Sequence, residues 1–154
     1  MDFLYILSRF PRYANPCNSI TALTCGVSSG FSLSGNGAWN PPSPWGTPGE
    51  EQVYSYTPSL SGTYDIQVLN SGYYVDLFYK TGGCSSSGWT YVSDIYWNET
   101  NSVYLVGGVT YLFLIDDENT SPSSGSINIS CPCIPPPGGI DGSFSYSGPF
   151  TISG

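Results

Sequence analysis

The sequence predicts an all-β domain, a jelly-roll or Ig-like β-sandwich of about eight to nine strands, and three observations carry that prediction. Aromatic residues make up 16% of the chain and charged residues only 9%, beside 19 Gly and 13 Pro, a mixture that favours short strands and turns over helices. Runs of alternating polar and apolar residues recur between clusters of Gly, Pro, Asn and Ser, as in antiparallel sheets. No stretch of about ten residues or more joins helical periodicity to capping signals. At 154 residues the chain suits one such domain.

Three parts follow along the chain: a head (1–15), a strand-and-turn body (16–131), and a Pro/Gly connector with a C-terminal strand (132–154). The head opens with five apolar residues in a row, Phe3, Leu4, Tyr5, Ile6 and Leu7. That run is far below the roughly 20 residues of a membrane span. Asp2 precedes it and Arg9 and Arg12 follow it, the reverse of a secretory leader. It is expected to be a strand in search of a sheet, since a lone strand satisfies neither its backbone nor its apolar faces.

In the body, the strands read as Gln52 to Tyr56, Gly62 to Val68, Tyr74 to Tyr79, Tyr91 to Trp97, Thr110 to Ile115 and Gly125 to Ser130. Tyr64, Ile66 and Val68 alternate with Thr63, Asp65 and Gln67, the mark of a half-buried antiparallel strand. Thr110 to Ile115 is apolar on both sides, as a strand covered on both faces would be. The tail alternates as well, with Phe144, Tyr146, Phe150 and Ile152 on one side. It follows Pro135-Pro136-Pro137, a stiff extended spacer.

Several motifs occur in a telling order: Pro16-Cys17, Leu23-Thr24-Cys25-Gly26, Glu51 to Thr57, Gly62 to Ile66, Asp76-Leu77-Phe78-Tyr79, Gly83-Cys84, Gly107 to Asp116, and Ile129-Ser130-Cys131. Over residues 16–131 this order resembles the bacterial pre-peptidase C-terminal type of domain. The resemblance implies a jelly-roll sandwich of a secreted or cell-surface protein, and it implies no chemistry. Such domains usually accompany a catalytic or adhesive partner, so function is sought in the two ends.

The net charge is −8 with three basic residues and no histidine. No basic stripe exists to neutralise phosphates, which excludes nucleic acid as a partner, and the usual acid–base group and zinc ligand is missing. Cys17, Cys25, Cys84, Cys131 and Cys133 are expected to form disulfides of undetermined pairing rather than a metal site, with one left over. Asn98, Asn119 and Asn128 each open an Asn-x-Ser/Thr acceptor, which with the cysteines points to an extracellular glycoprotein.

The chain is therefore expected to be a structural subunit of an extracellular filament, with copies of itself and glycans as partners. Phe3, Leu4, Tyr5, Ile6 and Leu7, with Phe144, Tyr146, Phe150 and Ile152, are the polymerisation residues, lent as strands from one sandwich to the next. Burying Phe3, Leu4, Ile6 and Leu7 yields a gross gain of order 10 kcal/mol. The alternatives are a carbohydrate-binding or adhesive module, with Trp39 and Trp45 as stacking rings in a Pro-rich loop, or an accessory domain of a secreted hydrolase.

No catalytic residues are expected. Glu50, Glu51, Asp76 and Asp94 read as commonplace strand-end acids rather than a glycosidase pair. Asp116, Asp117 and Glu118 read as a solvated acidic turn, with calcium as the competing reading, because the Asp-x-Asp-x-Asp-Gly spacing of a dedicated loop is missing. No cofactor is expected beyond that calcium alternative.

Overall fold

A computed structural model describes residues 14–132, and these form a two-sheet sandwich of nine strands. The strands are β1 (Thr21–Ala22), β2 (Ser29–Leu33), β3 (Glu51–Tyr56), β4 (Gly62–Ser71), β5 (Val75–Thr81), β6 (Thr90–Ile95), β7 (Asn98–Leu105), β8 (Tyr111–Asp117) and β9 (Ser123–Ile129). A five-stranded sheet runs β1-β3-β8-β5-β6 and a four-stranded sheet runs β2-β9-β4-β7. All pairs are antiparallel except β1 with β3. The all-β expectation and the strand number both hold.

The core between the sheets follows from period-two patterning. In β4, Tyr64, Ile66 and Val68 point inward and are fully buried, while the residues between them face out. They meet Tyr54, Val75, Leu77, Ile95, Phe113 and Ile115 from the other sheet. β8 is buried at every position because the outer face of its sheet is covered too. There Val53, Phe78, Leu112 and Leu114 pack beneath Trp89 and Trp39, the two indoles 6.0 Å apart. Lys80 fastens the covering segment 82–89, donating to the Ser85 hydroxyl at 2.8 Å and the Ser87 carbonyl at 2.6 Å.

Two disulfides, Cys17–Cys84 and Cys25–Cys131, tie the ends of the body to it. Cys133 and the head and tail residues named above as polymerisation residues lie outside the described residues.

Three strands carry too little sequence signal to be read in advance. β1 is two residues long. β2 is Ser-Gly-Phe-Ser-Leu, with only Phe31 and Leu33 buried. β7 opens with five polar residues and buries only Val103 and Leu105. The expected Tyr91 to Trp97 strand is also shorter: β6 ends at Ile95. Tyr96 and Trp97 turn a corner, because β6 and β7 belong to different sheets. Buried Asn70 fixes that corner: its amide nitrogen donates to the Tyr73, Ile95 and Tyr96 carbonyls, and its backbone N–H to the Trp97 carbonyl.

The described chain enters and leaves at opposite ends of the sandwich. Ala14 and Pro16 line a cavity of about 340 Å³ with Ser34, Asn36, Glu50 and Glu51, at the end of β2 and the start of β3. β1 then runs parallel to β3, away from that cavity. β9 is antiparallel to β2, so Cys131 emerges at the far end, bridged to Cys25.

Candidate functional site

The registers of the five-stranded sheet bring four carboxylates into one row. Glu51 on β3 lies opposite Asp116 on β8, Asp116 opposite Asp76 on β5, and Asp76 opposite Asp94 on β6. All four share the outer face with Val53, Phe78 and Leu114, since each is an even number of residues from one of these or alternates with an inward neighbour. Like charges set directly opposite one another across strands are destabilising. Lys80 sits four residues beyond Asp76 on the same face, roughly 13 Å away along the strand.

The segment after β2 folds over this row. The Ala38 N–H donates to both Glu51 oxygens, at 2.8 and 3.1 Å. The Thr47 hydroxyl donates to Asp116 Oδ2 at 2.8 Å, and Thr47 is held in turn by its N–H to Asn40 Oδ1 at 2.9 Å. Gly37 is required for this close approach, because a Cβ there would run into the Gly49 carbonyl and the Glu51 carboxylate. Asp76 and Asp116 are left with no exposed surface and Glu51 with 7%.

Burial under this cover dominates the electrostatics by disfavouring the charged forms. It pushes the Asp116 carboxyl up to about 9, against the Thr47 hydrogen bond and helped by Glu51, Asp76 and Asp117. Glu51 rises to about 7 through burial, despite the amides that it accepts from. Asp76 rises to about 6 through burial and the charge of Asp94. Neither Asp76 oxygen has a hydrogen bond of good geometry, although the Ser43 hydroxyl lies near enough to lower that pKa in part.

Glu118, one residue past β8, completes the site. Its N–H donates to the Tyr74 carbonyl at 3.1 Å, which anchors the turn against the start of β5. One carboxylate oxygen each from Asp76, Asp94 and Glu118 lie within 4.8 Å of one another. Burial, then the charges of Asp94 and Asp76, push Glu118 up to about 7. Tyr91 stands close by: burial, then Asp76, Asp94 and Glu118, raise its phenol to about 12. On the rim, Tyr74 stacks on Tyr96 at 4.6 Å, and Tyr96 meets Trp97 edge-on at 5.3 Å.

This arrangement corrects one expectation. Asp116 and Asp117 do not form a solvated turn; they end a strand and are fully buried, because the covering segment lies over the outer face and β8 is the middle strand. Of the acids weighed from sequence, Glu118 joins Asp76 and Asp94 rather than its neighbours. Trp39 packs on Trp89, and Trp45 stands 72% exposed on the surface. Asn98 accepts from Gln67 and Asn128 donates to Ser28, both on the outer face of the four-stranded sheet. Asn119 caps the turn after β8 by accepting from the Ser121 N–H at 2.6 Å. The row of acids left no trace in any local motif, because only strand register assembles it.

No protein-family model and no curated protein matches the chain by sequence. Two of the solved structures that match it in three dimensions do so over almost their whole length. One is the pre-peptidase C-terminal domain of a collagenase from Bacillus anthracis, at TM-score 0.54 and 13% identity, with 73% of this chain and 95% of that one covered. The fold is a sandwich like that of a pre-peptidase C-terminal domain. The other is CorA, a surface-associated copper-binding protein important in copper acquisition by Methylomicrobium album BG8, at TM-score 0.53 and 8% identity, covering 74% of this chain and 98% of that one. At such identities the likeness extends to the sandwich alone. This chain has no histidine and its four described cysteines are all bridged, so a metal site among the described residues would have to draw on oxygen donors such as these carboxylates.

Proposed function

We propose that the chain is a non-catalytic structural subunit of an extracellular filament, in which neighbouring sandwiches are joined head to tail by lent strands. The observation that carries this reading is the polarity of the body: the chain enters beside Glu51 and leaves beside Cys25 at the opposite end. Segments leaving from opposite ends suit a heterologous contact, which repeats into an open polymer when the rotation does not close a ring.

Two further features support it. Among the described residues, β3 is paired as a strand on its outer edge only at Tyr54 and Ser55, by the two-residue β1, with the turn Pro16–Ser19 packed beside it; strand addition uses short-paired edges of this kind. At the end where the chain leaves, the turns at 57–61 and 106–110 are tied by Gly108 N–H to the Pro58 carbonyl at 2.8 Å. They expose Leu60, Val106 and Val109 as apolar contact surface. Asn98 and Asn128 on the uncovered face of the four-stranded sheet are the proposed glycan carriers, where a sugar displaces no packed side chain.

Negative-stain electron microscopy of the full chain beside a chain lacking residues 1–13 tests the proposal. Regular filaments from the first, absent from a folded and disulfide-bonded second, are the expected result. Monodisperse particles from the full chain would overturn it.

A further inference from the structure

The open end of the acidic row has the makings of a ligand site, whether or not the chain forms filaments. An acidic cluster alone is commonplace, but this one contains a fully buried carboxylate without a hydrogen bond of good geometry. Asp76 has no exposed surface, and neither of its oxygens makes a hydrogen bond of good geometry, with the Ser43 hydroxyl the one neighbour that acts on it. A buried carboxylate in that state is costly unless an ion or a proton meets it. One oxygen of Asp94 and one of Glu118 are unpartnered as well. These three residues are the ones whose oxygens converge within 4.8 Å.

We propose that Asp76, Asp94 and Glu118 bind one calcium ion, which clamps β5, β6 and the turn after β8 together at this end of the sandwich. The donors are all hard carboxylate oxygens, the set that selects calcium, magnesium or manganese over softer metals. Oxygens within 4.8 Å of one another fall inside the span of two calcium–oxygen bonds of about 2.3–2.6 Å, and three carboxylates from separate elements suit calcium's flexible coordination better than the near-ideal octahedron that magnesium demands. Calcium takes about six to eight oxygens; three carboxylates, some bidentate, and water supply them. Asp94 and Glu118 are only half-buried, which gives the ion and its waters a route to buried Asp76. The ion would remove the repulsion that the row otherwise stores, and it would hold the Tyr74–Tyr96 stack at the rim.

The test is thermal unfolding of the full chain, stripped with chelator and then titrated with calcium chloride alone, beside terbium luminescence. Tyr91 is close enough to the three carboxylates for their charge to act on it, so it should sensitise terbium bound there. An extracellular module binds calcium with a Kd of about 10⁻⁴–10⁻³ M, and a roughly tenfold excess over that Kd should raise Tm by about 3–6 °C. Asp76→Asn should abolish the shift and the terbium signal, Glu118→Gln should weaken binding about tenfold, and Asp65→Asn on the other sheet should change neither. Should Asp76→Asn fail to fold, the half-exposed Glu118→Gln carries the comparison. An unshifted Tm in the wild type, retained binding in Glu118→Gln, or an equal response to magnesium would overturn the proposal.

Discussion

The outer faces of the two sheets were built from similar strands and ended differently. On the four-stranded sheet, β4 alternates without a break and its outward residues, Asp65, Gln67 and Leu69, remain in solvent. On the five-stranded sheet the same period produces an outward set that is apolar at one end and acidic at the other, and both ends are buried beneath loops. Solvent makes an outward acid inexpensive on the first face. Cover makes it costly on the second, unless a proton or a cation joins it.

The largest expected break between the faces comes from packing. Phe78→Ala, under Trp89 and beside Tyr91, should cost about 3–5 kcal/mol in denaturant unfolding. Gln67→Ala, outward on β4, should stay within about 0.5 kcal/mol. Equal losses would mean that the cover on the five-stranded sheet contributes no core. Next in size, Asn70→Ala should cost about 1–3 kcal/mol, because it strands the buried carbonyls of the corner between β6 and β7.

A smaller and opposite effect is expected at Asp116. Its folded pKa of about 9 lies above the unfolded value of about 4, so the neutral form is the one that the fold favours. Asp116→Asn keeps the shape and removes the charge. In chelator at about pH 8 it should be neutral or stabilising, where an ordinary paired carboxylate would lose stability. A clear loss at that pH would show that the charge is needed in place. The smallest effect belongs to the exposed face: Asp65→Asn, whose carboxylate accepts from Ser102, should move the unfolding midpoint hardly at all.

How legible these faces were in the sequence follows the same division. The alternation of Tyr64, Ile66 and Val68 and the doubly apolar run of Tyr111 to Ile115 announced a half-exposed and a doubly covered strand, because burial of each face is written into residue type. The order of the cysteine and glycine motifs was enough to suggest the fold that the solved structures share. The acidic row was not legible. Glu51, Asp76, Asp94 and Asp116 are separated by 18 residues or more, and each looks like a strand-end acid by itself. Their meeting depends on three registers, and their burial on a Pro-rich loop whose path no local pattern dictates. β2 and β7 escaped for a related reason, since backbone pairing to β9 and β4 holds their polar residues in strands.

A buried acidic row without a counter-cation is tolerated only when it is protonated or bound to an ion, and stability against pH reads this out. Glu51, Asp76 and Asp116 have folded pKa values raised to about 7, 6 and 9. Each therefore contributes stability that is full below the unfolded pKa of about 4 and lost as pH rises through the folded value. Unfolding of the full chain in chelator, measured from about pH 5 to about pH 9, should show stability falling steadily. Calcium should restore it at the alkaline end. A profile that is flat or rises over that range without the ion would contradict the account.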